Sequence, residues 1–411
     1  MLLFDRIASS LDPRRPALLP AVLSRAASSA LRRARVPLAA ALLGGALGCG
    51  SVVIEQDGSH AGGGGAGGAP DSTVAGGGAA CPGGSWGRGF ADPYKYEHGE
   101  SVAVDSGCHI VVSGSFGGEM DLGGVSISGV DEDLFVARFD PSGKPLWAQR
   151  LGTEPFQGSA FTAVDGKGNI ALGGTYNGTL QVGDETLVAK ENGMFALALS
   201  PDGEPLWARS FIGGNDSVLA RVAFAPDGGV LLAGYTTGGL LDLGQGPIGD
   251  PGWSTGFVAK LGADGVTSWA VPLDGSGVRV TSVTAGANGD VWLTGRFQIT
   301  VQIGPFGLEG TGGSIPFFAK LDASGEVLLA KAIPGEGSRV GNGVAVRPDG
   351  GAVIAGDFDN TVDLGSGPVV VNGPYDGFVL SVRGPLLQLA DAVHDHWFAD
   401  PVKPTMMGGE R

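Results

Sequence analysis

The sequence predicts an all-β protein built from five copies of one unit of about 60 residues. A glycine that follows a small residue near the end of an apolar run recurs at intervals of 60, 60, 61 and 61 residues, at Gly114, Gly174, Gly234, Gly295 and Gly356. A phenylalanine that opens an alternating segment recurs in step with it, at Phe135, Phe195, Phe257, Phe317 and Phe378. Two landmarks that keep step over five copies indicate one duplicated supersecondary unit.

Each copy contains four strand signals separated by turn signals. The second segment, IVVSG in the first copy, is apolar on both faces and predicts a strand buried on both sides. Asp-Gly and Asn-Gly pairs lie beside the strand signals and favour hairpins, because they permit the positive φ angles of tight turns. The fourth segment contains a tryptophan in three copies, at Trp147, Trp207 and Trp269. No segment has helical periodicity over a useful length, so we expect antiparallel strands.

Four antiparallel strands repeated in this way are typical of a β-propeller blade, and we expect five blades of four strands within residues 83–390. A β-helix is the weaker alternative, because 60 residues is long for one of its coils. Trp86 lies 61 residues before Trp147 and marks a lone fourth strand ahead of the first full copy. Residues 385–390 offer a second candidate, so one is surplus if five blades close. We favour the N-terminal strand, which would hide a sheet edge by completing the last blade.

The N-terminal region has the pattern of an export signal, which we assign to residues 1–48. Its first residues contain more Arg and Pro than such a signal needs, so we expect the true start codon to lie further downstream. A basic RRAR motif precedes a short apolar run that ends at Gly48 and Cys49. This ending resembles the lipobox of bacterial lipoproteins, which implies a lipid on Cys49 and a location at the outer membrane or cell surface. An ordinary cleaved signal is the alternative. Residues 49–82 form a glycine-rich flexible tether, and residues 391–411 a C-terminal tail.

The charge and the scarcity of histidine exclude several classes of function. A net charge of −16 argues against nucleic-acid partners, which need a basic surface. Five histidines and no convergent set of ligands give no reason to expect a cofactor, a metal site or catalytic residues. A polar position near the middle of each copy would form a ring in a propeller, but turn formation explains it better than Ca²⁺ binding; it holds Asp121, Gln181, Asp242, Gln302 and Asp363.

One position varies while the units around it repeat. It follows each landmark glycine directly and holds Ser115, Thr175, Tyr235, Arg296 and Asp357. These residues lie near one mouth of the channel if the second strand is the inner one, and variable polar groups on a rigid frame are a candidate binding site. Ordinary drift at solvated positions is the alternative. Cys81 and Cys108 either form a disulfide, which export permits, or stay unpaired.

The segments GKGNIALGGTY and DLFVARFDPSGKPLWAQRL resemble the SBBP-type and delta-60-type β-propeller repeats of bacterial surface proteins. The resemblance implies an exported propeller and assigns no chemistry. We therefore expect a non-enzymatic, lipid-anchored binding or scaffolding protein that is monomeric and meets a protein or glycan partner at the cell surface. The alternatives are a propeller glycosidase or lyase, and a purely structural envelope protein.

Overall fold

The computed structural model describes residues 81–82, 84–89, 97–129, 133–250, 252–311 and 313–383. The expected export signal, Cys49, most of the tether, the strand candidate at 385–390 and the tail lie outside the described residues. Every regular element within the described ranges is a β-strand, which confirms the all-β prediction. Over the same ranges, no helix is long and apolar enough to cross a membrane.

The strands follow the five copies. The first copy forms β1 (Glu97–Val104), β2 (Ile110–Phe116), β3 (Glu119–Asp121), β4 (Ser126–Ser128), β5 (Asp133–Phe139) and β6 (Pro145–Leu151). The second forms β7 (Thr153–Val164), β8 (Ile170–Val182), β9 (Glu185–Leu199) and β10 (Pro205–Ile212). The third forms β11 (Asp216–Phe224), β12 (Val230–Thr237), β13 (Leu241–Asp242), β14 (Pro247–Ile248), β15 (Ser254–Leu261) and β16 (Thr267–Gly275). The fourth forms β17 (Arg279–Ala285), β18 (Val291–Phe297), β19 (Thr300–Ile303), β20 (Phe306–Glu309), β21 (Ile315–Leu321) and β22 (Val327–Ala332). The fifth forms β23 (Gly335–Glu336), β24 (Arg339–Val346), β25 (Ala352–Phe358), β26 (Thr361–Asp363), β27 (Pro368–Val370) and β28 (Asp376–Val382).

The long strands form one antiparallel sheet per copy, named sheets I to V. Their orders are β1-β2-β5-β6, β7-β8-β9-β10, β11-β12-β15-β16, β17-β18-β21-β22 and β24-β25-β28. The short strands form ribbons beside these sheets, and the ribbon of β19 and β20 extends sheet III by pairing with β16. Sheet V thus has three strands in the described part of the chain, where the others have four.

The two sequence landmarks are cross-strand partners. In every sheet the landmark glycine on the second strand lies directly opposite the landmark phenylalanine on the third, as in Gly234 and Phe257. A Cβ atom on each of these glycines would overlap a carbonyl oxygen of the first strand, such as that of Val218 in sheet III. In sheets I, III, IV and V a register shift in the first strand lies at this point. The glycine is therefore required because the first strand approaches it closely.

Neighbouring sheets meet through their first strands, and the second strand of each sheet also packs on the first strand of the next sheet. β1 packs on β7, β7 on β11, β11 on β17 and β17 on β24. The first strand is the edge strand of each sheet and the second strand lies next to it, so the channel-mouth position of the variable residues stays a prediction. The small residue before the landmark glycine makes room for the next sheet: the Ser113 hydroxyl donates to the carbonyl of Ala160 on β7 at 2.9 Å.

Apolar side chains fill the spaces between consecutive sheets. One cluster joins sheets I and II, the next joins II and III, and two more join III to IV and IV to V. The outer face of sheet I has a fifth apolar cluster, which includes the buried side chains of Phe116, Phe135 and Phe139, whereas the outer face of sheet V is open within the described residues. Val379 of sheet V is 67% exposed, although the same register in the other sheets is buried, with exposures of 0 to 6% at Val136, Ala196, Val258 and Phe318. On sheet I, Val102 is 37% exposed.

The polar residue that recurs near the middle of each copy stabilises a turn. The glycine two positions later has a positive φ in all five copies, between 54° and 98°. In copies one, three and five an Asp carboxylate accepts the N–H of this glycine, as Asp121 does from Gly123 at 2.8 Å. In the other two a Gln amide donates to its carbonyl, as Gln181 does to Gly183 at 2.7 Å. The preference for turn formation over Ca²⁺ binding thus has a direct structural basis.

Each tryptophan of the fourth strand binds the last hairpin of the following sheet. The Trp147 indole N–H donates to a carbonyl of the β9–β10 hairpin at 3.0 Å, and that of Trp269 to a carbonyl of the β21–β22 hairpin at 3.1 Å. Trp86 makes the same contact at 3.3 Å with the β5–β6 hairpin of sheet I. Residues 84–89 therefore lie on sheet I in the position of a fourth strand from a preceding copy.

Cys81 and Cys108 form a disulfide, with their Cα atoms 5.6 Å apart. Cys108 has a φ of 64° and occupies the position of a positive-φ glycine in the equivalent turn of the other copies, such as Gly168. A non-glycine residue in this conformation costs about 1–2 kcal/mol. The turn between β1 and β2 is destabilised by this amount. The disulfide links the segment that begins at Cys81 to sheet I.

Candidate functional site

The five variable positions lie at one register, at the same end of their sheets. Each is the cross-strand partner of a first-strand residue, and the five pairs are Ser115–His98, Thr175–Ser159, Tyr235–Val218, Arg296–Arg279 and Asp357–Val340. The hairpin geometry of the first two strands fixes this register in each sheet, so a side chain at this position reaches the edge where first strands meet. The five positions that vary in the sequence therefore occupy equivalent places in the five sheets.

Arg296 is the centre of the group that three of these positions form. Burial, followed by the charge of Arg279, lowers the pKa of the Arg296 guanidinium, whereas Tyr235 and Asp357 act in the opposite direction. The Arg296 guanidinium also donates to the Ser314 hydroxyl at 3.0 Å. Side chains from sheets III, IV and V thus act on one half-buried cation.

Arg279 supplies the second cation of this group. Its guanidinium carbon lies 4.5 Å from the centre of the Tyr235 ring, a cation–π contact that joins sheets III and IV. Arg279 is on β17, directly opposite Arg296. Sequence reasoning missed it because the pairing of the first and second strands, and not a motif, brings it to the site.

Asp357 is the acidic member of the group. Its carboxylate accepts a hydrogen bond from the Asn342 amide at 2.8 Å. Asn342 lies at the register shift of β24, where the first strand has an extra residue. With two guanidinium groups and one carboxylate, the Arg296 group has a local excess of positive charge on a chain of net charge −16.

Ser115 and Thr175 lie at the same register of sheets I and II. Ser115 is buried, and Thr175 is half-buried. The residues of the Arg296 group belong to sheets III, IV and V. Ser115 and Thr175 occupy equivalent positions in sheets I and II, and they add no charge to that group. A ligand centred on Arg296 would be bound by sheets III to V.

Three further charged pairs have structural roles. The Arg138 guanidinium donates to the buried Asp105 carboxylate at 2.6 Å, and Lys260 and Lys320 make equivalent pairs from the third strands of sheets III and IV. Each pair joins the third strand to the hairpin of the first two strands. Among the described residues, no group of three or more His, Cys, Asp or Glu side chains is placed to hold a metal ion.

Comparisons with known proteins add no functional assignment to this geometry. No protein-family model and no curated protein matches the sequence. The Arg296 group, with its position at the level of the variable residues, is therefore the basis on which we argue function.

Proposed function

We propose that the five sheets are the blades of a closed β-propeller, in which residues 84–89 supply the fourth strand of sheet V. Trp86 supports this closure, because it lies on sheet I as each fourth-strand tryptophan lies on the sheet that follows it. Sheet V has three described strands and the exposed Val379 on its outer face, and the outer face of sheet I has an apolar cluster with the partly exposed Val102 beside it. Closure would bury Val102 and Val379 and remove the exposed sheet edge.

We further propose that the chain is a non-enzymatic binding protein that holds a carboxylate-bearing partner at the Arg296 group. The observation that carries this proposal is the convergence of Tyr235, Arg279 and Asp357 on Arg296 from three sheets. Guanidinium groups bind carboxylates through charge-assisted hydrogen bonds, and Asp357 can hold a neighbouring hydroxyl or amide. An acidic glycan or an acidic protein segment has this chemistry.

The proposed place of action is the cell surface. A lipid on Cys49 and a flexible tether would hold the propeller away from the membrane, as in the lipoproteins that the N-terminal region resembles. The repeat segments resemble those of exported SBBP-type and delta-60-type surface proteins. A monomer with one anchored end could then bind a partner of the envelope without crossing the membrane.

Binding of an acidic glycan to the full-length protein tests the function. We expect oligogalacturonate to bind in isothermal titration calorimetry and a neutral oligosaccharide of the same length not to bind. Arg296→Gln should weaken binding roughly 10-fold or more, because one charged hydrogen bond is worth about 1.5–3 kcal/mol. Arg347→Gln, at an exposed arginine of sheet V, is the matched control and should bind like the wild type.

Two other outcomes would replace the proposal. Turnover of chromogenic glycosides that is lost in Asp357→Asn would make the protein a glycan-cleaving enzyme. Equal binding by Arg296→Gln and wild type would remove the Arg296 group as the site. The anchor is tested separately by alkyne fatty-acid labelling in cells, where we expect the wild type to be labelled and Cys49→Ser not to be.

A further inference from the structure

Sheet III departs from the other four sheets at one buried position. Two residues after the landmark glycine, the other copies have a buried aromatic ring, whereas the third copy has Thr236. In sheets I, II and IV this ring packs against the landmark phenylalanine with centroids 5.8 to 6.3 Å apart. Phe257 lacks such a partner at this register, because Thr236 has no ring. Thr236 is fully buried, and its hydroxyl is hydrogen-bonded to that of Ser217 at 2.9 Å.

A cavity of about 440 Å³ occupies this end of sheet III. Its lining includes Thr255, which is the cross-strand partner of Thr236, and Gly249. A Cβ atom on Gly249 would lie 3.2 Å from the Thr236 methyl group. In sheet I, a Cβ atom on Gly129 would meet the Phe116 ring at the same distance of 3.2 Å. The cavity therefore lies beside the place that an aromatic ring fills in sheet I.

The cavity has one buried polar group without a partner. Thr255 is 1% exposed, and its hydroxyl oxygen has no hydrogen-bond partner in the described part of the chain. An unpaired buried hydroxyl costs about 1–3 kcal/mol. Because Thr255 lines the cavity, a ligand there could supply the missing hydrogen bond.

Two carboxylates and an indole ring complete the lining. Asp250 and Asp274 both line the cavity, and Trp253 beside them is 52% exposed. Burial, followed by the charge of Asp250, raises the pKa of the Asp274 carboxyl. Two carboxylates in one lining repel each other when both are ionised.

We propose that this cavity binds an organic ammonium group, such as the side chain of a lysine residue on a partner protein. An ammonium ion would relieve the repulsion between Asp250 and Asp274, whereas a neutral sugar would leave both charges in place. An indole ring such as that of Trp253 attracts cations more strongly than the rings of Tyr and Phe do. The Thr255 oxygen can accept one ammonium N–H, so the lining offers a partner to each part of the group.

This site is separate from the proposed carboxylate site and has the opposite charge. It stands on the loss of an aromatic ring in sheet III, and neither the Arg296 group nor its ligand enters the argument. Each site can therefore fail without the other. The same protein samples can be titrated with both probes, which keeps the two results distinct.

The test compares two probes of the same shape on the full-length protein. We expect Nα-acetyl-lysine amide to bind in NMR titrations and Nα-acetyl-norleucine amide, which lacks the ammonium group, not to bind. Asp274→Asn should weaken lysine-amide binding roughly 10-fold, as the loss of one charged partner predicts. Asp264→Asn removes a carboxylate from the β15–β16 hairpin of the same sheet and should leave the affinity unchanged.

A second variant enlarges a residue that lies beside Gly249 in the lining of the cavity. Thr236→Phe restores the ring of the other sheets and should abolish lysine-amide binding while oligogalacturonate binding at Arg296 persists. The proposal is overturned if the wild type does not bind lysine amide, if it binds norleucine amide equally well, or if Asp274→Asn binds like the wild type. Binding of a neutral sugar in place of the lysine probe would also overturn the ammonium assignment.

Discussion

Sheets II, III and IV each lie between two other sheets, whereas within the described residues sheets I and V each pack on one other sheet only. The apolar pattern of the strands is the same in both groups: Val379 is as apolar as Val258, yet one is 67% exposed and the other fully buried. Every copy thus encodes two covered faces, including the two copies that lack a neighbour on one side. Packing between neighbouring sheets is therefore a stabilising interaction that every copy can make on both faces.

The largest expected effect is in sheet III, which lies between two other sheets. Gly234→Ala would place a methyl group against the Val218 carbonyl and 2.9 Å from the Phe257 ring. We expect a loss of about 3 kcal/mol or more in the free energy of unfolding, since the backbone has no room to move between two sheets. Urea denaturation measures the loss. Gly166→Ala is the control, because a Cβ there meets no atom within 4 Å, and an equal loss would contradict the argument.

The second-largest expected effect is the loss of unfolding free energy in variants of Trp147 and Trp86. Trp147→Ala should cost about 3 kcal/mol, because the ring lies between sheets I and II and its N–H is bonded. Trp86→Ala should cost about 1 kcal/mol if residues 84–89 stay attached to sheet I alone, since that ring is 40% exposed. Equal losses in thermal unfolding would show that Trp86 is covered as completely as Trp147.

Val379→Ser tests whether the open face of sheet V is covered in solution. Closure of the propeller predicts a loss of about 1–2 kcal/mol, because burial of a valine side chain contributes about that much. Val370→Ser is a suitable control, since Val370 is 65% exposed on the ribbon of β26 and β27. If both variants unfold at the same urea concentration as the wild type, closure against sheet I is wrong.

The smallest effect concerns acid stability. A hydrogen bond from Lys260, together with backbone N–H groups, lowers the pKa of Asp227 below its usual value near 4. The pair therefore stabilises the fold at neutral pH, and this contribution is lost as the pH falls through the lowered pKa. The exposed carboxylate limits it to under about 1 kcal/mol. Sheet V has Ser381 at the position of Lys260 and lacks this pair.

Asp227→Asn should flatten this part of the pH dependence of unfolding, and Lys260→Gln should do the same. The double variant should then show no further change, because both substitutions remove one interaction. Additive losses would contradict the pairing and place the acid sensitivity elsewhere.

The periodic landmarks predicted much of the fold. Spacing alone identified the landmark glycine and phenylalanine as features of one repeated unit, and the structure adds that they lie directly opposite each other on neighbouring strands. The turn role of Asp121 and its equivalents also followed from residue type, because Asp and Gln can satisfy backbone groups two positions away. Sequence could not predict which edge strand of each sheet meets the neighbouring sheets, because the first and fourth strands of a unit have the same periodicity.

The candidate site was less accessible to sequence reasoning. The five variable positions could be recognised because the residues around them repeat. Arg279 could not, because it reaches the site through the register of β17 and β18, which the spacing of residues does not encode. Thr236 had a signal that went unused: the residue two after the landmark glycine is aromatic in the other four copies. Asp250 and Asp274 are 24 positions apart, and only the pairing of β15 with β16 beneath the loop brings them to one cavity.

The contact of Trp86 with sheet I has a consequence for synthesis. The chain leaves the ribosome from its N-terminus, and the first sheet already has its outer tryptophan when β6 is complete. At about 5–20 residues per second, each later sheet appears roughly 3–12 s after the one before it. Every new sheet can therefore dock on a finished surface, so the chain can assemble in the order in which it is made.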